Sequence, residues 1–365
     1  MHLEAVNFGT YPSPESINLD RKRLIGWLVG LVSLVALVIF VSLVGWLLVD
    51  VWFGVERLDK EGTTKQSLEE PRGGSRLVPV FQMVTQEQVL AAPKINVRRF
   101  VEIITSPIFP EQESKEWVLQ HQNFAIQACF AYFFVIFGIK YVVMRNRSPF
   151  DLTLPLNIWN ALLALFSIMG TVMLFPEFIG TIQNNGFQAS YCKVYGFTKG
   201  SNGFWGWLFI VSKLFELADT VFLVLRKKPL MFLHWYHHIL TLIYAFYSYP
   251  HTPGFNRWGI FMNFFVHAFM YSYYFLCSMK MRIPRGVAMF ITSLQILQFV
   301  LSVLILAHLG ILIYVRKVDC DFDDSIFKLA LFMDVTYLIL FVNFFCKAYV
   351  FGGGKSKYKI EKKKQ

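Results

Sequence analysis

Charge is scarce in this sequence. Of 365 residues only 16% are Asp, Glu, Lys or Arg, while 55% are hydrophobic; an average soluble chain carries about 25% charged residues. So few charges cannot cover a water-facing surface, which excludes an ordinary soluble enzyme and a disordered chain. Five cysteines in a chain this long cannot build a disulfide scaffold. No basic stripe runs along a water-facing domain, so no nucleic-acid partner is expected. What the chain has instead is 17% aromatics, 38 of them Phe, and a mean hydropathy of +0.46. The composition is that of an all-α polytopic membrane protein, since isolated strands cannot satisfy their backbone in lipid.

A span needs about 20 mostly apolar residues. Eight runs qualify: Leu24–Val49, Phe124–Val143, Leu156–Phe175, Phe204–Leu225, Leu233–Tyr249, Trp258–Met279, Val287–Val315 and Ile326–Phe351. Positive residues cluster at Arg21-Lys22-Arg23, Arg145/Arg147, Arg226-Lys227-Lys228, Lys280/Arg282/Arg285 and from Lys355 to Lys364. With eight spans every one of these clusters falls on the cytosolic side. The exception, Arg316-Lys317, is diluted by Asp319, Asp321, Asp323 and Asp324. The expected organisation is a cytosolic tail (1–23), a retained anchor (24–49), an irregular luminal connection with a short amphipathic helix near its end (50–114), a membrane domain (115–351) and a basic cytosolic tail (352–365). The anchor is too long, and lacks the small-residue cleavage site, to be a signal peptide.

This threading puts only Cys192 and Cys320 in luminal loops, an oxidising setting in which a bridge is expected. Spacing alone leaves two free thiols equally open. Cys129, Cys277 and Cys346 fall in spans and read as small buried hydrophobes.

Polar groups inside a membrane are costly and functional by default. Span four carries Lys213, Glu216, Asp219 and Thr220, with Lys213 and Glu216 spaced to pair along the helix. A self-satisfied interhelical ion pair is the structural alternative. Span five opens with His234-Trp235-Tyr236-His237-His238, an HxxHH box that gathers three imidazoles within an arc of about 100°. Span six puts Asn263, His267, Met270, Tyr271 and Tyr274 on one face. Span seven adds Thr292, Gln295 and Gln298. One box and one further histidine cannot fill a di-iron site of the histidine-box oxygenases, because His2, His121, His251 and His308 are scattered. A single zinc stays arithmetically open, but neutral imidazoles acting as nucleophile or base are the favoured reading, with no metal expected.

Lys213-x-x-Glu216-x-x-Asp219-Thr220, His234-x-x-His237-His238, Asn263-x-x-x-His267-x-x-Met270-Tyr271-x-Tyr273-Tyr274 and Thr292-x-x-Gln295-x-x-Gln298 resemble, in order, four motifs of the ELO family of fatty acid elongases. The resemblance covers about 115–351 and includes the Arg145–Leu152 stretch. It implies a seven-helix bundle of the endoplasmic reticulum enclosing an acyl tunnel, here with one extra N-terminal helix. It also implies condensation of long-chain acyl-CoA with malonyl-CoA to 3-oxoacyl-CoA, CoA and carbon dioxide, with no cofactor. The expected partners are these two substrates, membrane lipid, and the reductase and dehydratase of the elongation cycle; a homodimer is left open.

On this reading His237 holds the acyl chain as an acyl-imidazole while His267 or His238 stabilises the oxyanion or moves protons, with His234 beside them. Asn263, Gln295 and Gln298 hold carbonyls, and Asp219 orients an imidazole. Lys213, Glu216, Thr220, Met270, Tyr271, Tyr274 and Thr292 complete the substrate site. Arg226, Lys227 and Lys228, with Arg145, Arg147 and Arg282, are candidates for the CoA phosphates or mere orientation signals. A one-stage mechanism with the histidines as base uses the same residues. A Cys277 nucleophile is a poor fit, lying about 15 Å of helix rise from His267. A multispan receptor or transporter is the non-enzymatic alternative. Lys362 and Lys363 resemble a dilysine retrieval signal, and the Leu233–His238 box looks like members acting on saturated and monounsaturated chains.

Overall fold

The computed structural model describes residues 109–351. The anchor expected at 24–49, the connection up to residue 108 and the retrieval lysines Lys362 and Lys363 lie outside the described residues. The described chain is helical: α1 (Glu111–Gln120), α2 (Gln122–Gly138, continued by a wider turn to Val143), α3 (Thr153–Asn185), the short α4 (Ala189–Cys192), α5 (Gly200–Glu216), α6 (Ala218–Leu225), α7 (Phe232–Ser248), α8 (Asn256–Ser278), α9 (Arg285–Gly310, continued to Val315) and α10 (Asp324–Phe345, continued to Val350). No strand occurs among the described residues. Five helices are long and apolar enough to cross a membrane, namely α2, α3, α8, α9 and α10 with their continuations. The other two apolar segments differ: α5 and α6 are separated by a break at Leu217, and α7 has only 17 residues. Those two carry the lysine–carboxylate motif and the histidine box.

Helix α3 runs ten residues past the boundary expected at Phe175. Pro176 lies inside it. Proline lacks an N–H and normally ends a helical pattern, which is why the sequence suggests a stop there. The helix continues because its far end is held: Glu177 receives the Arg257 guanidinium, with Nε at 3.1 Å and Nη2 at 2.9 Å. Thr181 Oγ1 also donates to Glu177 at 3.0 Å. Arg257 is 1% exposed and also donates to the carbonyls of Ser190, Lys193 and Val194. This buried cation therefore fastens α3, α8 and the loop before α5 into one unit.

Neighbour contacts close a ring of six: α3 packs on α8, α8 on α9, α9 on α10, α10 on α7, α7 on α5, and α5 back on α3. Helix α2 stands outside this ring, against α7. The α3–α8 seam is the longest. There Gly170 meets the Phe264 ring, and a Cβ built on Gly170 would stand 2.5 Å from it, so any side chain would push the seam apart. At one end of the ring the Cys192 and Cys320 sulfurs are bonded, 2.02 Å apart. Asp321 N donates to Cys192 O at 2.8 Å, and Gly254 N to Asp321 O at 3.0 Å. A Cβ on Gly254 would lie 2.8 Å from the Cys192 carbonyl carbon. Three loops thus close this end. The cross-link joins residues 128 apart in sequence, so Cys192→Ser is expected to cost about 2–5 kcal/mol, read as earlier thermal unfolding in detergent. An unchanged transition would mean the loop hydrogen bonds suffice.

The opposite end holds the links at 144–152, 226–231 and 279–284. Phe150 N donates to Leu225 O at 3.1 Å, and Arg285 Nη2 to Ala348 O at 2.7 Å. The basic clusters 145–147, 226–228 and 280–285 share this end. Arg316 and Lys317 lie at the disulfide end, with an acidic loop in which Lys193 bridges Asp319 at 2.7 Å and Asp321 at 3.5 Å.

Candidate active site

The ring encloses a cavity of about 230 Å³ that all four sequence motifs reach. Helix α7 contributes His234, His237 and His238; α8 contributes Asn263, His267, Met270, Tyr271 and Tyr274; α9 contributes Gln295 and Gln298; and the α5–α6 segment contributes Glu216, Asp219 and Arg226. The imidazoles cluster: ring centroids are 4.7 Å apart for His234–His238 and 5.5 Å for His237–His238. A deeper chamber of about 80 Å³ continues toward the disulfide end. His237, Asn263, Gln298 and Phe299 line both chambers. His237 therefore stands at the neck, and a group held on it can reach either side.

Around the neck the polar groups hold one another. Lys213 is 3% exposed, and its Nζ donates to Glu216 Oε1 at 2.7 Å and to Asn263 Oδ1 at 3.0 Å. An ammonium can only donate, so the Asn263 oxygen must face it. The Asn263 amide nitrogen then faces His267 Nε2 at 3.3 Å. That nitrogen can only donate, so Nε2 of His267 is the acceptor and the ring proton sits on Nδ1. Lys213 thus fixes the tautomer of a histidine on another helix through one amide. Tyr337, 1% exposed, supports His237: its hydroxyl donates to the His237 carbonyl at 3.0 Å and its ring centroid lies 4.9 Å from the imidazole.

Several expected roles are corrected by this geometry. Asp219 does not orient an imidazole. Its carboxylate oxygens are taken by Trp159 Nε1 at 2.5 Å and Tyr271 OH at 2.8 Å, so it anchors α3 and α8 to the cavity wall. Trp159→Phe is expected to free one oxygen and cost about 1–3 kcal/mol through the unsatisfied group, a loss that thermal unfolding would show directly. Thr220 does not line the cavity: it is fully buried, with Oγ1 2.6 Å from Tyr132 OH. Thr292 is likewise buried, and its hydroxyl donates to Ala288 O at 3.0 Å. Lys213 does not line the cavity either; it acts through Asn263, and its Nζ sits 4.1 Å from the Phe209 ring centroid. Of the three consecutive cations, Arg226 and Lys228 line the cavity and Lys227 does not. Three of the scattered histidines are engaged elsewhere: His121 Nδ1 with Trp117 O at 2.7 Å, His308 Nδ1 with Tyr191 OH at 2.6 Å, and His251 with Asp323 at 3.3 Å; His2 lies outside the described residues. Among the described residues no three His, Cys, Asp or Glu side chains gather closely enough to hold a metal ion.

The sequence reading passed over Trp159, Asn160, Tyr337 and Asp334. Asn160 lines the main cavity, and Asp334, 8% exposed, lines the deep chamber with Ser302 and Tyr244. Asp334 had a signal, since a carboxylate within an apolar run is functional by default. The aromatic pair had none, because Trp and Tyr are common throughout this chain.

Residues 117–357 match the model of the ELO (GNS1/SUR4) family. The chain belongs to the ELO family of fatty acid elongases. It is 61% identical over 280 residues to long chain fatty acid elongase 1 of Caenorhabditis elegans, covering 76% of this chain and 97% of that protein. It is 43% identical over 249 residues to very long chain fatty acid elongase 6 of Drosophila melanogaster, covering 67% and 78%. The human protein of that same name is 37% identical over 246 residues, covering 66% and 90%. The ELO match begins inside α1 and takes in every helix of the six-membered ring, so both chambers lie within it.

Proposed function

We propose that this ELO family protein is the condensing enzyme of a fatty acid elongation cycle. It joins a long-chain acyl-CoA to malonyl-CoA and yields 3-oxoacyl-CoA, CoA and carbon dioxide. The single observation that carries this is the pair of chambers meeting at His237. The deeper chamber suits the far end of an acyl chain, and the larger one, with Arg226 and Lys228, suits a thioester with its nucleotide outside.

The chemistry follows in two stages. A ring nitrogen of neutral His237 attacks the acyl carbon, and the C–S bond breaks. The thiolate leaves as CoA with the proton from the other ring nitrogen, so a neutral acyl-imidazole remains. Malonyl-CoA then enters and its carboxylate leaves as carbon dioxide. The electron pair of that C–C bond becomes an enolate, which attacks the acyl carbon and expels the imidazole. His237 regains a proton from solution, so one proton is consumed overall. The Nδ1–H of His267 and the amides of Asn263, Gln295 and Gln298 stabilise the oxyanions. Loss of carbon dioxide drives the step. No further cofactor is called for.

We further propose an endoplasmic reticulum location with seven spanning helices in the ELO domain, and with the end bearing the basic clusters and the C-terminus in the cytosol. A 3-oxo product calls for a reductase and a dehydratase downstream. The test is incubation of purified protein with palmitoyl-CoA and carboxyl-labelled malonyl-CoA. Labelled carbon dioxide is expected, and acyl-CoA alone should release one CoA per site. No carbon dioxide from a panel of saturated and monounsaturated chains would favour a receptor or transporter. Ser302→Phe, which fills the deep chamber, is expected to cut turnover of the longest accepted chain by roughly tenfold or more and spare shorter ones. Equal loss at every length would remove the acyl assignment of that chamber.

A further inference from the structure

A second concavity lies outside the ring of six helices, cut between the last turn of α2 and the link from α6 to α7. Four cations line it: Lys140 and Arg145 from one side, Lys227 and Lys228 from the other. Its floor is apolar, including Met144 at 1% and Val224 at 3% exposure. Of the four, only Lys228 also reaches the catalytic cavity.

Three observations separate this groove from a general excess of positive charge. First, the ion pairs of the described residues lie elsewhere, so none of these cations is neutralised within the described chain. Second, the groove is built on a packed base. Tyr132, Ile136 and Val224 form a buried cluster against which Leu230 and Trp235 pack, joining α2, α6 and α7. Third, the turn that presents Lys227 holds it at φ +51°, a left-handed conformation uncommon for any residue but glycine. Two hydrogen bonds close that turn, Lys227 N to Val224 O and Lys228 N to Leu223 O, both at 3.0 Å. Helix-end charge accounts for the sign of the rim. It does not account for an apolar floor beneath it.

A cationic rim over an apolar floor matches an anionic phosphate ester attached to a glyceride. The rim would take the phosphate oxygens through charge-assisted hydrogen bonds, and basic pockets between spanning helices are known to hold such headgroups. The adjoining surface of α2 suits the tails, with Phe134 71% and Val142 77% exposed. A soluble phosphate would use the rim and leave the floor bare. We propose that this groove binds the headgroup of an anionic glycerophospholipid, at a site separate from the one where the acyl chain is extended.

The test is native mass spectrometry of the full chain, purified in detergent and titrated with phosphatidic acid, phosphatidylcholine or CoA. Saturable retention of phosphatidic acid over phosphatidylcholine is expected. The combined Lys140→Gln, Arg145→Gln, Lys227→Gln variant should weaken that retention about tenfold or more. A control with Lys199→Gln, Arg316→Gln and Lys317→Gln removes the same charge from the disulfide end and should retain the lipid normally. Equal retention of phosphatidylcholine, an equal loss in the control, or complete displacement by CoA would each overturn the proposal. The last would reassign the cations to the nucleotide phosphates. Palmitoyl-CoA turnover is read independently, so a failed lipid site and a failed condensing enzyme give different results.

Discussion

His237→Ala is expected to abolish condensation, lowering turnover on the order of 10²–10⁴-fold or further, with little change in stability. The ring projects into the neck shared by the two chambers, so truncation enlarges a cavity instead of stranding a partner. The hydrogen bond that Tyr337 makes goes to the His237 carbonyl, which the substitution keeps. The distinguishing measurement is a single turnover without malonyl-CoA. Wild type should release CoA and carry a mass-shifted peptide containing His237, and the variant should do neither. If the variant still released a full equivalent of CoA, or the acyl label sat on Cys277, which also lines the cavity, the nucleophile would be elsewhere. A wild type that released no CoA until malonyl-CoA was added would instead favour the one-stage use of the histidines.

The largest effect on stability is expected at Lys213. Its pair with Glu216 is nearly sealed from solvent, with side chains 3% and 4% exposed. Removing one partner of such a pair leaves a buried charge unopposed and costs about 3–5 kcal/mol. Lys213→Met should therefore unfold at markedly lower temperature. Adding Glu216→Leu removes the stranded carboxylate and should restore most of that loss, since the two sites are in contact and their effects are not additive. Activity should stay low in the double variant. With no ammonium to hold its oxygen, the Asn263 amide is free to turn, and His267 loses the donor that keeps its proton on Nδ1. A double variant with wild-type turnover would show that Lys213 is structural only.

The two predictions divide along what the sequence could and could not reveal. His237 was legible because three imidazoles at HxxHH spacing in an apolar run have few structural explanations. Pairing of Lys213 with Glu216 was legible because residues three apart on a helix are neighbours. The contact of Lys213 with Asn263, 50 residues away, was not. It depends on how α5 and α8 are turned toward each other, and no local periodicity encodes that. Asp219 shows the same limit. Its motif directly precedes the histidine box in sequence, yet Trp159 and Tyr271 claim its carboxylate, and Trp159 lies in a helix where nothing marks it out.

By itself the sequence determined the solvent, the helices and the chemistry-bearing faces. Hydropathy and charge placement are local properties, and a membrane leaves the backbone few conformations to choose from. Only the tertiary structure decided which polar groups meet. The closing of six helices into a ring, with α2 left outside, is set by side-chain packing between distant segments. That packing seats His237 at the neck of two chambers, hands Asp219 to a tryptophan, and sends Lys227 to an outer groove that its neighbour Arg226 does not line.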